Sequence, residues 1–329
     1  MAIDLLNIQP TVISRDLRGK YVLLYGKPKS GKTTAACSFP QSLLVAFERG
    51  YNAIGGVHAV DILKWSDFKQ VIRQLENPQV KELYSTIIID TISIAWDYCE
   101  QFICQQNGVQ KIADIPWGGG YSAAKKEFES SLRKITMLGY GIVLIAHSSS
   151  HLEKTETDAE VEIIGPDMPK RAAEICNGLV DIIGYIGGEF NENKEFVRYL
   201  YTRSTPTLFA GSRFKYLPAK IPFGYTELVS AIADAIDKAE KLDGVKVVDT
   251  ADTTSAEERL DFAAVRAEAA DLWQKLVGAD EANAAVILKK IEMTMSHKMK
   301  LSEFSEDQVD LLYLLVLEMR EMWNGISNK

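Results

Sequence analysis

What this chain lacks already narrows what it can do. Only four of its 329 residues are cysteine (Cys37, Cys99, Cys104 and Cys176), with no C-x-x-C pair and no metal-ligand spacing. That excludes a disulfide framework or a cysteine metal centre and leaves four small core hydrophobes, as in a reducing cytoplasm. No apolar run approaches the roughly 20 residues that a membrane-crossing helix needs. Residues 1–19 are mixed and polar, without the apolar core of a signal peptide. A cytoplasmic protein with no membrane partner is therefore expected. Positive charge is also in short supply, with 37 Lys and Arg against 45 Asp and Glu, a net of −8. A general basic coat is excluded, so any nucleic-acid contact has to come from a local patch. Internal repeats are absent too.

What is present is centred on Gly26-Lys27-Pro28-Lys29-Ser30-Gly31-Lys32-Thr33, a full match to G-x-x-x-x-G-K-[ST]. Tyr21 to Tyr25 before it is an apolar, β-branched and aromatic run that reads as a buried parallel strand. Thr34 to Phe39 after it can open a helix, which Pro40 stops. Strand, loop and helix are the setting in which such a loop holds a polyphosphate. Curled main-chain N–H groups from Gly26 to Thr34 face the anion, and Lys32 places its charge on the β/γ-phosphates. The Thr33 hydroxyl ligates Mg²⁺. A nucleotide-binding protein is expected, with ATP and Mg²⁺ as its ligands.

The remaining chain alternates strand and helix. Strands are expected at Ser42–Glu48, His58–Leu63, Thr86–Thr91, Gly141–His147 and Leu179–Ile186, with a hairpin over Glu189–Thr202 turning at Asn191-Glu192-Asn193. Ser66 or Asp67 is expected to cap a helix that Asn77-Pro78 breaks. Further helices are expected over Ile92–Gln106, Tyr121–Leu138, Lys170–Asn177 and Tyr225–Leu242. The acidic stretch Ser148–Met168 reads as irregular. This pattern means right-handed βαβ crossovers: an α/β P-loop NTPase with a mainly parallel sheet and helices on both faces. The core is assigned to residues 1–242, with 1–19 as a lead-in. A polar linker follows at 243–256, then a small C-terminal α-helical domain of roughly three helices at 257–329.

Several side chains have the chemistry a phosphate loop needs. Asp90 ends an all-aliphatic strand, from which a carboxylate can reach Mg²⁺ directly or through water. Glu48 ends the strand after the loop's helix, either polarising the attacking water or standing as a solvated strand-end acid. His147 ends a strand of its own, either sensing the γ-phosphate or bonding a neighbouring loop. Arg213 and Lys215 lie on one face of an extended segment and could reach a neighbouring subunit's nucleotide. Trp117 and Tyr121, with Lys111, flank three consecutive glycines and could stack bases of single-stranded nucleic acid, or Trp117 could simply anchor its loop. Lys289, Lys290 and the cluster His297-Lys298-Met299-Lys300 are either a DNA contact or a solvated face.

With these pieces in order the chain resembles the RecA-like ATPases, in particular compact phage nucleotide-binding proteins proposed as core-only annealing recombinases. The resemblance rests on Gly26–Thr33, Glu48, Ile87–Asp90, the Trp117–Tyr121 loop, Gly141–His147 and Ala210–Phe214, and covers residues 15–240. It implies ATP hydrolysis coupled to single-stranded DNA binding, in a ring or filament with ATP at the subunit interface. It also implies that Glu48 is the catalytic glutamate, His147 the γ-phosphate sensor and Arg213 a trans-acting cation. Loops 107–120 and 148–168 fall where that family binds DNA. The second loop is strongly acidic here and repels phosphates unless Lys170 and Arg171 compensate. Two other readings stand beside it. One is an ATP-driven protein switch whose C-terminal helices grip a replication or single-strand-binding protein. The other is a small-molecule kinase, disfavoured because its lid region would be acidic rather than arginine-rich.

Overall fold

The computed structural model describes residues 13–14, 19–154, 160–248, 261–295 and 297–327. They fall into two compact units, divided near residue 256. Most of the expected lead-in and linker lies outside the described residues. Of those segments Ile13–Ser14 (β1) is seen paired in parallel with Val247–Val248 (β12).

The larger unit is built on a ten-stranded sheet. Its strands are β2 (Tyr21–Gly26), β3 (Ser42–Ala46), β4 (Ala59–Asp61), β5 (Thr86–Asp90), β6 (Gly141–Lys154), β7 (Glu160–Pro166), β8 (Ile182–Phe190), β9 (Phe196–Tyr201), β10 (Gly211–Ser212) and β11 (Lys220–Pro222). The path runs β11-β9-β8-β2-β6-β5-β3-β4, with β10 on β8 and β7 on β6. The six strands from β8 to β4 are mutually parallel, and β9 and β11 add antiparallel pairing at one edge. Central strands are apolar on both faces because both faces are covered. Along β2, Leu23 and Tyr25 pack under α2 (Trp65–Gln74), α4 (Ile92–Gln106), α5 (Gly119–Met137) and α6 (Lys170–Leu179). Val22 and Leu24 face the other way, under α1 (Lys32–Cys37) and α7 (Tyr225–Asp243). The protein is thus an α/β P-loop NTPase fold with helices on both faces.

Three local expectations are corrected. Asn77-Pro78 does not merely end α2: the Asn77 side chain accepts from Gln79 N and caps a new helix, α3 (Pro78–Leu83), with Pro at its first turn, where a missing N–H costs nothing. Asp67 lies inside the first turn of α2 and accepts from the Leu63 and Lys64 N–H groups. The acidic stretch after His147 is not irregular. β6 runs on to Lys154 and pairs antiparallel with β7, a hairpin whose alternating residues 160–163 (Glu, Val, Glu, Ile) have the two-residue period of a strand.

The second unit contains α8 (Phe262–Ala279), α9 (Ala282–Met295) and α10 (Val309–Ser327). Val265, Ala269, Leu272 and Leu276 of α8 meet Ile287 and Ile291 of α9 and Leu312, Leu315, Val316 and Met319 of α10 in a core of their own. The i, i+4, i+7 spacing on α8 gives the stripe such packing needs.

Candidate active site

Parallel strands put their C-terminal ends at one edge of a sheet, and ligands of such folds bind outside that edge. At Gly26, the end of β2, the chain turns through the phosphate loop. Lys29 (φ 63°) and Gly31 (φ 93°) take left-handed backbone, which curls the loop before α1 begins at Lys32. Lys32 is buried, and its Nζ donates to the Gly26 and Lys27 carbonyls, each at 2.9 Å. Burial holds this ammonium below the ordinary lysine value, against the pull of Asp90 and Glu48. The Thr33 hydroxyl donates to Asp90 Oδ2 at 2.7 Å. Burial raises the Asp90 carboxyl, the Thr33 hydrogen bond opposes that, and the Glu48 charge adds to it.

Glu48 is held by the strand that carries Asp90. The Asp90 carbonyl accepts from the Phe47 N–H (2.7 Å) and the Glu48 N–H (3.1 Å), so the chain leaving β3 is fastened to the end of β5. His147 stands opposite Gly26 in the β2–β6 register, and its Nε2 lies 3.5 Å from Glu48 Oε2. Among the described residues its Nδ1 is buried with no partner, as is the Ser30 hydroxyl. The structure therefore brings Lys32, Thr33, Glu48, Asp90 and His147 to one place.

The donor set also suits Mg²⁺. A hydroxyl and a carboxylate are hard oxygen ligands, and Mg²⁺ takes one or two protein groups, completing its shell with phosphate oxygens and water. Among the described residues no cluster of three or more His, Cys, Asp or Glu offers another metal site.

The profile of a family described as an AAA domain matches residues 18–214. The chain belongs to that family. This AAA domain thus spans β2 to β10, including the loop, both carboxylates and His147. Along its whole length the chain is similar to YorG of Bacillus subtilis (strain 168), a SPbeta prophage-derived uncharacterized protein. The two are 27% identical over 331 residues, covering 98% of this chain and 99% of that protein.

Other expected residues of the AAA domain fall elsewhere. Arg213 lies beside Asp181, just before β8 begins, at the sheet edge opposite the loop. Its guanidinium pairs with Asp181 at 3.0 Å and donates to the Gly178 and Leu179 carbonyls that end α6. The structure does not bring Arg213 to the loop of its own chain, because the β10–β8 register sets Gly211 against Ile183 and Ser212 against Ile182, at the N-terminal end of β8. Lys215 is bound to Asp243. Arg203 is spent on the Ser212, Phe214 and Lys215 carbonyls.

The residues considered for nucleic acid are partly gathered. α5 runs about 28 Å toward the N-terminal edge, where β6 starts, so its first turn lies toward the loop's end of the sheet. There the Arg171 guanidinium stacks over Tyr121 at 4.4 Å, beside Lys170 at the start of α6. Trp117, one turn earlier, anchors nothing among the described residues. It is fully exposed and in left-handed backbone. Lys111 is exposed at the head of a short turn, Ile112–Asp114.

Two residues at the loop went unread in the sequence. A Cβ on Gly31 would meet the Phe223 ring at 3.2 Å and Arg198 Nη1 at 4.0 Å. Both come from the antiparallel edge, β9 and the end of β11, and only strand register brings them there.

Proposed function

We propose that this protein is a phage-type, RecA-like ATPase that binds Mg–ATP in the loop, hydrolyses it and acts on single-stranded DNA in recombination, annealing or replication. The observation that supports ATP hydrolysis is the meeting of Lys32, Thr33, Asp90, Glu48 and His147 at one edge. Lys32 leaves the two carbonyls to which it now donates and takes up charge on the β- and γ-phosphates. Thr33 and Asp90 hold the magnesium ion, which supplies charge neutralisation to the phosphoryl group. Glu48 takes the proton from the attacking water, and His147 bridges the γ-phosphate position and the β6–β7 hairpin. The prophage origin of the B. subtilis relative supports the phage setting, in a bacterial host's cytoplasm. Homo-oligomers with ATP between subunits belong to the same reading.

DNA binding is supported by the exposed Trp117 and the Tyr121–Arg171 stack, since bases stack on aromatic and guanidinium planes. The test is ATPase activity with and without single-stranded oligonucleotide, at two salt concentrations. Stimulation that fades with salt is expected. Equal rates with no salt-dependent DNA binding would remove DNA from the reading, and loss-free turnover in Lys32→Ala would remove the ATPase.

One observation favours a second reading, an ATP-driven switch that grips a protein. The C-terminal unit has a groove of about 520 Å³ with Leu288 and Met299 beside Lys289, Lys298 and Lys300. Pull-down of a replication or single-strand-binding protein by the full chain, lost on deleting residues 257–329, would favour it.

A further inference from the structure

Resting on the ATPase reading, we propose that Arg198 is a further catalytic residue. It is a cation that a subunit supplies to its own nucleotide, contacting phosphate oxygens on the leaving-group side of the loop.

The argument starts from strand alternation. Phe196, Arg198 and Leu200 share one face of β9 because side chains repeat every two residues. Leu200 is buried in the core beneath α1 and α7, so that face is the one on which the loop's helix sits. Register supplies the height. Gly26 pairs with Ile186 on β8, and Arg198 pairs with Gly188, two residues further toward the C-terminal edge. Arg198 therefore stands level with the phosphate loop, and its Nη1 comes within 4.0 Å of where a Cβ on Gly31 would lie.

The second observation concerns partners. Arg203, Arg213, Lys215 and Lys220, the neighbouring cations of this half of the unit, are each tied to carbonyls or carboxylates. Arg198 is exposed and its main-chain carbonyl accepts from the Phe223 N–H, but among the described residues its guanidinium makes no hydrogen bond or ion pair. A guanidinium beside a phosphate loop and unclaimed by any carboxylate offers its planar fork to phosphate oxygens.

Sheet order then fixes which side it serves. β9 lies beyond β8 on one flank of β2, whereas Glu48 follows β3 on the other. As the water oxygen bonds to the γ-phosphorus, its proton passes to Glu48. The bond from that phosphorus to the bridging oxygen breaks, and its electron pair stays on ADP. Arg198 faces that growing negative charge.

The test is single-turnover hydrolysis of Mg–ATP by the full chain, wild type against Arg198→Ala, Arg198→Gln and Arg198→Lys, with Mg–ADP affinity measured in parallel. An exposed, unpartnered side chain can be replaced with little effect on folding, and the lysine variant keeps the charge. Loss of about 10³-fold in rate is expected for the alanine and glutamine variants, the lower end for such arginines. Lysine should recover part, and Mg–ADP should bind at least about tenfold more weakly to Arg198→Ala. Hydrolysis by Arg198→Ala within threefold of wild type, or unchanged Mg–ADP affinity, would overturn the proposal. Mixing Arg198→Ala with Lys32→Ala subunits should restore no activity, and restoration would show the arginine acting on a neighbour. A wild type that binds Mg–ADP without hydrolysing ATP would overturn the ATPase reading alone, since the ADP titration still reads the Arg198 contact.

Discussion

Replacing Glu48 by glutamine separates binding from chemistry at this site. The side chain is half-exposed, 3.5 Å from His147 Nε2, and its position is set by main-chain bonds from Phe47 and Glu48 to the Asp90 carbonyl, which the substitution leaves intact. The loop, Lys32 and the Thr33–Asp90 pair should therefore keep their geometry. What disappears is one negative charge and one proton acceptor. Losing the acceptor should slow the chemical step by about 10²- to 10⁴-fold, the usual contribution of a general base. Losing the charge has the opposite sign for binding. A carboxylate about 6 Å from a phosphate charge, at an effective dielectric near 20, repels it by about 3 kcal/mol. Half-exposure and salt screen that to about 1 kcal/mol, or roughly fivefold in affinity. Single-turnover hydrolysis and calorimetric titration with Mg–ATP measure the two effects separately. The expected pair is a slowed rate with ATP bound as tightly or a few-fold more tightly. Hydrolysis within twofold of wild type, or affinity weakened tenfold, would refute the role given to Glu48.

Other perturbations test the frame around the site. Glu127 accepts from Trp65 Nε1 (2.9 Å) and Lys69 Nζ (2.7 Å), so Glu127→Ala leaves a buried indole N–H unpaired and should cost about 1–3 kcal/mol in urea unfolding. Burial pushes the Glu127 carboxyl up, but the Lys69 and Trp65 bonds outweigh it and hold the group below its ordinary value. Its contribution should thus be complete above the ordinary carboxylate range and fade as pH falls through the depressed value, a pH dependence that Glu127→Gln should flatten. Arg213→Ala should cost under about 1 kcal/mol of stability for so exposed a pair, seen as a slight drop in melting temperature, and leave turnover intact. Poisoning of wild-type subunits in mixed oligomers would instead establish the trans role. Trp117→Ala should change stability by less than about 0.5 kcal/mol. It should weaken single-stranded DNA binding by about 1–3 kcal/mol in an anisotropy titration, and unchanged affinity would remove Trp117 from the DNA surface.

The parts of this molecule that could be read from the sequence are those whose causes are local or uniform. A phosphate loop is contiguous, and strands buried on both faces, such as Val22–Tyr25 and Ile87–Ile89, are apolar without interruption. Glu48, Asp90 and His147 were legible because each stands at or just past the end of such an apolar run, and parallel strands bring those ends together. That Arg213 lies far from its own chain's loop was not legible, because sequence does not state which end of β8 its short strand pairs with. The β6–β7 hairpin was hidden because its charges suggested solvent, although its residues alternate. Arg198 gave no signal, since an arginine in an exposed hairpin looks like many others until β9 is set against β8.

Tyr25 sits one residue before the phosphate loop, and its hydroxyl donates to the carbonyls of Phe209 and of Ile164 in the β6–β7 hairpin. Burial keeps this phenol protonated, so the link holds at any ordinary pH. Ile164 is laced in turn to Thr207 and Phe209 by main-chain bonds. A displacement of the loop's leading strand would thus pull on a hairpin some 140 residues away in sequence, which makes that hairpin the natural place to attach a fluorophore reporting on the nucleotide state.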